Sequence, residues 1–323
     1  MNNPPILLQN AVSNLLKDFE PADLILVGCS GGADSIALAW SASVVCKRLN
    51  LNLGVVIVDH QLIAESNQVA ENTKKQCAEF GINQIIVKKI KVVLENEGLE
   101  SAARKARYKA FEEVIKETNA KALMLAHTQD DQAETMLMRL TRGSGAKSLS
   151  AMSEVSGKYL RPFLHVRKFE IKDALEKEDI KYWNDPANSN SDFLRVKVRN
   201  ELIPKLIEVL GDSVVEALDR TSMLLKNDND ILDQIALNHY QENRQLLISK
   251  LEDLHSAIRT RVIKLAALDA GVNPGPFSFE HIEAIDALVT NWHGQSHIDL
   301  PGFVQASRVN ETIRFNSSRK SSS

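Results

Sequence analysis

Three cysteines, Cys29, Cys46 and Cys77, are all that the 323 residues hold, and no two of them stand in a C-x-x-C pair. That excludes a disulfide framework, leaves no recognisable metal site and fits a reducing compartment. Long apolar runs are missing too. No stretch approaches the roughly 18 apolar residues that a membrane-crossing helix needs, so no membrane association is expected. The leading residues MNNPPILLQN lack a basic start and a small-residue cleavage site, so no signal peptide is expected and the cytoplasm is the expected address. Positive charge is not in excess: 39 Lys and Arg face 42 Asp and Glu, for a net charge of −3. Nonspecific coating by nucleic acid is thereby excluded. No internal repeat is found.

A composition of 44% hydrophobic and 25% charged residues describes a globular chain, and the length suggests about two domains. Charge is unevenly spread. From Arg139 to Arg199 there are thirteen Lys and Arg against eight Asp and Glu, whereas from Asp212 to Asp253 there are four against nine. The basic middle segment is compatible with a local polyanion site, and equally with a differently solvated face.

Four short apolar runs, in Asp23–Gly28, Leu53–Val58, Gln84–Val87 and Ala122–Ala126, have the composition of buried parallel strands. Helical spacing fills the intervals Ser35–Leu49, Glu65–Phe80 and Ser101–Thr118. This alternation predicts an α/β fold with a doubly wound, mainly parallel sheet, whose ligands bind beyond the carboxyl ends of the strands. GCSGGADS, Asp59-His60 and His127-Thr-Gln-Asp-Asp131 each follow a predicted strand, so all three are expected at one edge. After about residue 150 helical patterns take over, at Arg167–Glu178, Leu194–Leu210, Val214–Tyr240, Leu254–Ala270 and Phe279–Trp292. Strands are expected at His297–Leu300 and Thr312–Phe315. The resulting division is a nucleotide-binding domain at 1–212, a helical linker at 213–240 and a smaller α+β domain at 241–323, ending in a disordered low-complexity tail.

The loop Ser30-Gly-Gly-Ala-Asp-Ser35 suits a phosphate, because glycines between a strand and a helix let backbone N–H groups form an anion nest at the helix N-terminus. A Walker loop would end in Gly-Lys-Ser/Thr, and no lysine follows here. Nor is the pattern G-x-G-x-x-G. A serine-glycine turn capped by Asp34 is the plainer alternative for the glycine pair alone.

Taken whole, the loop resembles the signature of the N-type ATP pyrophosphatases, or PP-loop enzymes. In that family the loop holds pyrophosphate as a leaving group, and no Walker lysine is expected. Val58-Asp-His60, Ala103-Arg-Lys-Ala-Arg-Tyr108, the run from Leu125 to Gly145, Arg161-Pro-Phe-Leu164 and Asn184-Asp-Pro-Ala-Asn188 resemble the tRNA(Ile)-lysidine synthetase family over roughly residues 25 to 206. That resemblance implies ATP and Mg²⁺, free lysine, and an isoleucine tRNA with a CAU anticodon. Cytosine O2 of the wobble cytidine would first be adenylated, and the lysine ε-amine would then displace AMP. A homodimer is left open as the assembly.

On this resemblance Ser30, Gly31, Gly32, Ala33, Asp34 and Ser35 are expected to bind ATP with His60 and His127, and Asp34 to meet the metal. Asp130, Asp131 and Glu134 share a helix face, and they become the acids for lysine or Mg²⁺. Thr128-x-x-Asp131 is also a capping-box pattern, so helix capping is the local alternative. Arg104 and Arg107, one turn apart, suit a polyanion, although arginines on a solvated face would look the same. Arg139, Arg142 and Lys147, and the cluster Arg195, Lys197 and Arg199, are expected to touch tRNA phosphates. Three positions depart from the family pattern: Thr128 stands where a second histidine is common, Gln61-Leu-Ile63 replaces glycine-leucine-arginine, and Arg195–Asn200 replaces an Arg-Asn-rich string ending in histidine. A tRNA thiolase of the same superfamily is the nearest rival, disfavoured because no cysteine pair is placed for sulfur transfer. A non-catalytic adenine-nucleotide-binding module is the rival from another class, and it would have no use for the acids beside Arg104 and Arg107.

Overall fold

The fold comes from a computed structural model that describes residues 3–61, 66–92, 98–141, 145–150, 152–186 and 193–317. The expected tail, Leu62, Ile63, Arg142 and Ala187-Asn188 lie outside these residues.

The chain opens with α1 (Ile6–Leu16), a helix unforeseen above, which starts after Pro4-Pro5 and buries Leu8, Val12 and Leu16 at four-residue spacing. Then β1 (Leu24–Gly28), α2 (Ala33–Arg48), β2 (Asn52–Asp59), α3 (Ser66–Glu79), β3 (Gln84–Lys89), α4 (Leu99–Thr118) and β4 (Ala122–Met124) follow in strict alternation. Next come α5 (Gln129–Leu140), α6 (Gly145–Leu149), β5 (Val155–Ser156) and β6 (Tyr159–Leu160). The six strands lie in the order β3-β2-β1-β4-β6-β5. All pairs are parallel except β5 with β6, a short antiparallel edge hairpin.

Period-2 alternation in β1 feeds two cores. Ile25 and Val27 pack on one face with α1 and α2, including Trp40 and Cys46. Leu26 enters the other face with Phe111, Val114 and Leu123. Strand order reverses about β1, with β2 on one side and β4 on the other. A crevice at the carboxyl ends of these strands is therefore the expected ligand position.

A 3₁₀ turn (Pro162–His165) leads into α7 (Lys168–Lys177). The expected helix at Leu194–Leu210 is broken into α8 (Leu194–Lys197), a π-helical turn (Val198–Leu202) and α9 (Ile203–Leu210). The long α10 (Val214–Glu242) follows. By contact density the chain divides into one unit of 1–142 with 151–222, and a second of 143–150 with 223–323, so the division falls inside α10. In the first unit Val215 of α10 packs with Ala133, Val198 and Ile203.

The second unit holds α11 (Ile248–Glu252), α12 (Ser256–Asp269), α13 (Phe279–Thr290) and an antiparallel sheet of β7 (Ile298–Leu300), β8 (Val304–Val309) and β9 (Thr312–Ser317). β8 was not foreseen. It follows the turn at Pro301-Gly302 and pairs with both neighbours. The unit has its own core around Val262, Ile263, Ile285 and Leu288. Among the described residues no helix is long and apolar enough to cross a membrane.

Candidate functional site

The phosphate loop is organised by Ser35. Its hydroxyl accepts the Ser30 N–H at 3.1 Å and donates to the Gly32 carbonyl at 2.9 Å, with Ser30 Oγ 3.3 Å away. Gly31 has φ +86°, and its carbonyl accepts the Trp183 N–H at 2.9 Å. A Cβ there would stand 2.5 Å from Thr73 Oγ1 on α3, so both conformation and space demand glycine. At the start of α2, Gly32 is extended and no side chain caps the helix. The N–H groups of its first turn, including that of Ala33, thus keep their capacity for an anion.

The loop lines a cavity of about 710 Å³, shared with the ends of β2 and β4 and with residues of α4, α5 and α7. Three buried polar atoms on its wall have no partner: Asp59 Oδ2, His60 Nδ1 and His127 Nδ1. The other Asp59 oxygen accepts the Gln61 N–H at 2.9 Å. Burial, joined by the Arg107 guanidinium, lowers the His60 pKa. Burial brings that of His127 down to about 4. Two neutral imidazoles with unused ring nitrogens are suited to hydrogen bonds with an uncharged part of a ligand.

Asp34 faces the same cavity. Burial pushes its carboxyl up to about 6, against the pull of Lys168. Arg107 lines the cavity, whereas Arg104 does not. Arg104 lies over the Tyr108 ring, 4.9 Å from its centroid, and donates to the phenol at 3.3 Å.

The acids of α5 are brought together, and each is engaged. Thr128 and Asp131 form the capping box, with the Thr128 N–H and hydroxyl both 2.9 Å from Asp131 Oδ2. The other Asp131 oxygen accepts from Lys168 Nζ at 3.0 Å, Arg195 at 3.1 Å and Arg199 at 3.4 Å. Glu134 is fully buried and accepts from Arg195 Nε at 2.7 Å and Arg199 Nε at 2.6 Å. Lys168 Nζ is 3.6 Å from it. Burial alone would raise the Asp131 carboxyl, but Lys168, Arg195 and the Thr128 N–H hold it well below the usual carboxylate range. Asp130 turns to the Lys168 N–H at 2.8 Å and to Arg167 at 3.4 Å, and Arg167 also binds Glu216 at 2.6 Å.

Arg195 and Arg199, expected at tRNA phosphates, are thus committed to Glu134 and Asp131. They are four residues apart and share one helical face, which is the physical reason both reach the same acid. Lys197, between them, is exposed. Lys147 pairs with Asp233 in the second unit. Arg139 closes α5. Lys168, Trp183 and Thr73 were not foreseen. Lys168 carries no motif, and only the helix start at α7 aims it at the cavity.

A family model described as a PP-loop domain matches residues 6–206, and one described as a TilS substrate binding domain matches residues 246–313. The tRNA(Ile)-lysidine synthase of Thermobifida fusca is 43% identical over 305 residues, covering 93% of this chain and 94% of the relative. The tRNA(Ile)-lysidine synthase of Streptomyces coelicolor is 42% identical over 294 residues, covering 89% and 83%. Among solved structures, a U34-tRNA thiolase from Methanococcus maripaludis with its 4Fe-4S cluster superposes with a TM-score of 0.56 at 20% identity, over 68% of this chain and 78% of that one. This last likeness concerns the fold alone.

Proposed function

The chain belongs to the tRNA(Ile)-lysidine synthase family, and we propose that its cavity joins free lysine to C2 of the wobble cytidine in a CAU-anticodon isoleucine tRNA. The observation that carries this reading is the meeting, in one cavity, of an uncapped glycine loop, two imidazoles with unused nitrogens and the carboxylates of Asp34 and Asp131, with Glu134 buried behind Asp131.

Cytosine O2 attacks the α-phosphorus of ATP, and the bond to pyrophosphate breaks. The lysine ε-amine then attacks C2, the C2–O2 bond breaks, AMP leaves and the amine gives up a proton. Backbone N–H groups of Gly31, Gly32, Ala33 and Ser35 would hold the departing pyrophosphate, while the Ser30 N–H, bound to the Ser35 hydroxyl, would keep the loop in shape. Arg107 would face the phosphates, and His60 and His127 the nucleoside. Mg²⁺ fits the donor set, because the Asp34 carboxylate lines the cavity beside the phosphate loop and Mg²⁺ bound to a triphosphate needs only one or two carboxylates. Asp34 would be that carboxylate, and a metal there would neutralise phosphate charge.

The acid pair Asp131 and Glu134 would receive an amine of free lysine, with Arg195 and Arg199 fixing both carboxylates. Asp130, bound to Arg167, braces α5 against α7. Lys197, which is exposed, is the basic residue of this group best placed for tRNA phosphates, with Arg139, Arg142 and Lys147 kept as further candidates although Lys147 pairs with Asp233, and such contacts would confer salt-dependent affinity. Against expectation two cysteines do meet, since Cys29 and Cys77 share a hydrogen bond; the thiolase alternative still has less to rest on, because Cys29, Cys46 and Cys77 are all buried, and burial pushes the Cys46 thiol up to about 12.

The test is pyrophosphate release from ATP with and without lysine and the unmodified tRNA, followed by mass analysis of the tRNA. Addition of one lysine less one water supports the reading. Release without that adduct returns the thiolase, and no release at all leaves a nucleotide-binding module.

A further inference from the structure

Two carboxylates, Asp131 and Glu134, face three cations, Lys168, Arg195 and Arg199. The two arginines grip by forks. Arg199 alone gives Glu134 hydrogen bonds of 2.6 and 2.9 Å, and Arg195 adds one of 2.7 Å. Both also reach Asp131. Lys168 is held less firmly. Its ammonium has three donors, yet it makes one hydrogen bond of 3.0 Å to Asp131 and a 3.6 Å contact with Glu134. Its flexible stem ends in a cavity that it shares with Ser30, Gly32, Asp34 and Ser35. The cluster therefore contains one replaceable cation, within the space that a polyanion would enter.

That cation is a primary alkylammonium, the same chemical group as the side chain of free lysine. Acids that suit Lys168 suit the substrate, and the two compete for one position. An entering triphosphate supplies an alternative partner for Lys168 that the acids cannot match in charge, since Asp131 and Glu134 are already shared with Arg195 and Arg199.

We propose that Lys168 is an exchange cation: with the nucleotide site empty its ammonium fills the amine position on Asp131 and Glu134, and when a triphosphate binds the loop it transfers to a phosphate and frees that position for lysine. The inference rests on the reading of Asp131 and Glu134 as the amine site. It makes lysine binding depend on the nucleotide, and by linkage nucleotide binding on lysine. It also supplies, from α7, the phosphate-seeking lysine that the loop itself lacks. The order protects the active site, because lysine is admitted only once the activating reagent is in place.

The experiment is equilibrium dialysis of radiolabelled lysine against the full chain, with and without α,β-methylene-ATP and Mg²⁺, in wild type, Lys168→Met, Lys168→Arg and Glu134→Gln. In wild type the nucleotide analogue tightens lysine binding on the order of tenfold. Lys168→Met binds lysine without the analogue as tightly as wild type does with it, its ratio falls to within about twofold of unity, and its affinity for the analogue drops. Lys168→Arg, which keeps a cation but swaps a flexible point charge for a fork, retains most of the coupling. A Lys168→Met ratio equal to wild type overturns the proposal and leaves Lys168 as a structural ion pair. Should Lys168→Met fail to fold, as judged by circular dichroism, a wild-type ratio of unity overturns it as well. If Glu134→Gln binds lysine like wild type, the amine-site reading itself has failed, a result distinct from loss of coupling at Lys168 alone.

Discussion

Arg199 Nε lies 2.6 Å from Glu134 Oε1, and that carboxylate has no exposed surface. A buried charge of this kind is tolerable only with its partners in place, so the two ends of the pair are not equivalent. Glu134→Ala leaves two guanidinium groups competing for Asp131 and should cost about 3 kcal/mol. Arg199→Ala leaves Glu134 still paired with Arg195 and close to Lys168, and should cost distinctly less. Urea denaturation of both variants checks the order, and equal losses would mean that the cluster does not behave as a shared network.

Asp34 sets a pH dependence whose sign is opposite to that of most carboxylates. Its pKa in the folded chain is raised to about 6 by burial, above the unfolded value near 3.9. The protonated form is thus favoured by folding, and the associated stability is present below about pH 4 and lost as pH rises through 6. Asp34→Asn removes a cost of at most about 3 kcal/mol at pH 8 and almost none at pH 4. The variant should melt higher than wild type at pH 8, match it at pH 4 and form no lysidine at either. A variant no more stable at pH 8 would show that Asp34 is not strained by burial. Metal-dependent ATP binding by the wild type should rise between pH 5 and 7 (about 6 at the midpoint), as the carboxylate ionises.

His127 should contribute nothing to that rise. Burial lowers its pKa to about 4, so it stays neutral where Asp34 titrates. Its ring resonances should be unchanged from pH 8 to 5 (roughly one unit above its own midpoint) in a two-dimensional NMR titration. Removing it as His127→Ala should weaken ATP binding by about tenfold, the worth of one hydrogen bond to an otherwise unpartnered group. A ring that charges near pH 6 would instead make it the titrating residue.

Sheet and motifs were legible in the sequence for different reasons. β1, β2 and β4 are built on short apolar runs because parallel strands are covered on both faces, and their ends carry Ser30, Asp59 and His127 to one edge by topology alone. α1 was overlooked although Leu8, Val12 and Leu16 have helical spacing, and β5 and β6 are two residues each, too short for any pattern. Asp131 was legible as both a cap and a site acid, and it is placed as the cap while also meeting the cations. Lys168 was not legible, because its role depends on the direction in which α7 starts after a 3₁₀ turn and not on any local string.

Gly31 is expected to be the least replaceable residue of the loop. Gly31→Ala must bear both a left-handed φ of +86° and a Cβ 2.5 Å from Thr73 Oγ1. Thr73 is buried and its hydroxyl is bound to the Val69 carbonyl, so it has little room to withdraw. The cost should exceed about 1 kcal/mol. At Gly32 an added Cβ meets nothing closer than 3.7 Å, so Gly32→Ala should keep stability and lose ATP affinity only. Adding Thr73→Ala to Gly31→Ala should recover the steric part and leave the conformational part. Thermal melts of the three variants with ATP titrations separate these effects, and an unperturbed Gly31→Ala would show that the loop adopts another conformation in solution.

Discrimination against methionine tRNA cannot come from the anticodon, because both tRNAs present CAU. We expect it to use contacts elsewhere, and the second unit offers a surface on which to test this. Arg308 lies 5.5 Å from the centroid of the half-exposed Trp292 ring, and Phe303 is exposed nearby in sequence to β8. An aromatic face backed by guanidinium is a stacking platform, and base stacking is worth about 1–3 kcal/mol. The Trp292→Ala, Arg308→Ala double variant should therefore bind isoleucine tRNA on the order of tenfold more weakly, lose much of its preference over methionine tRNA and bind ATP as before. Filter binding of both tRNAs at fixed salt gives the ratio. An unchanged preference would move discrimination off this face and onto other contacts of the chain.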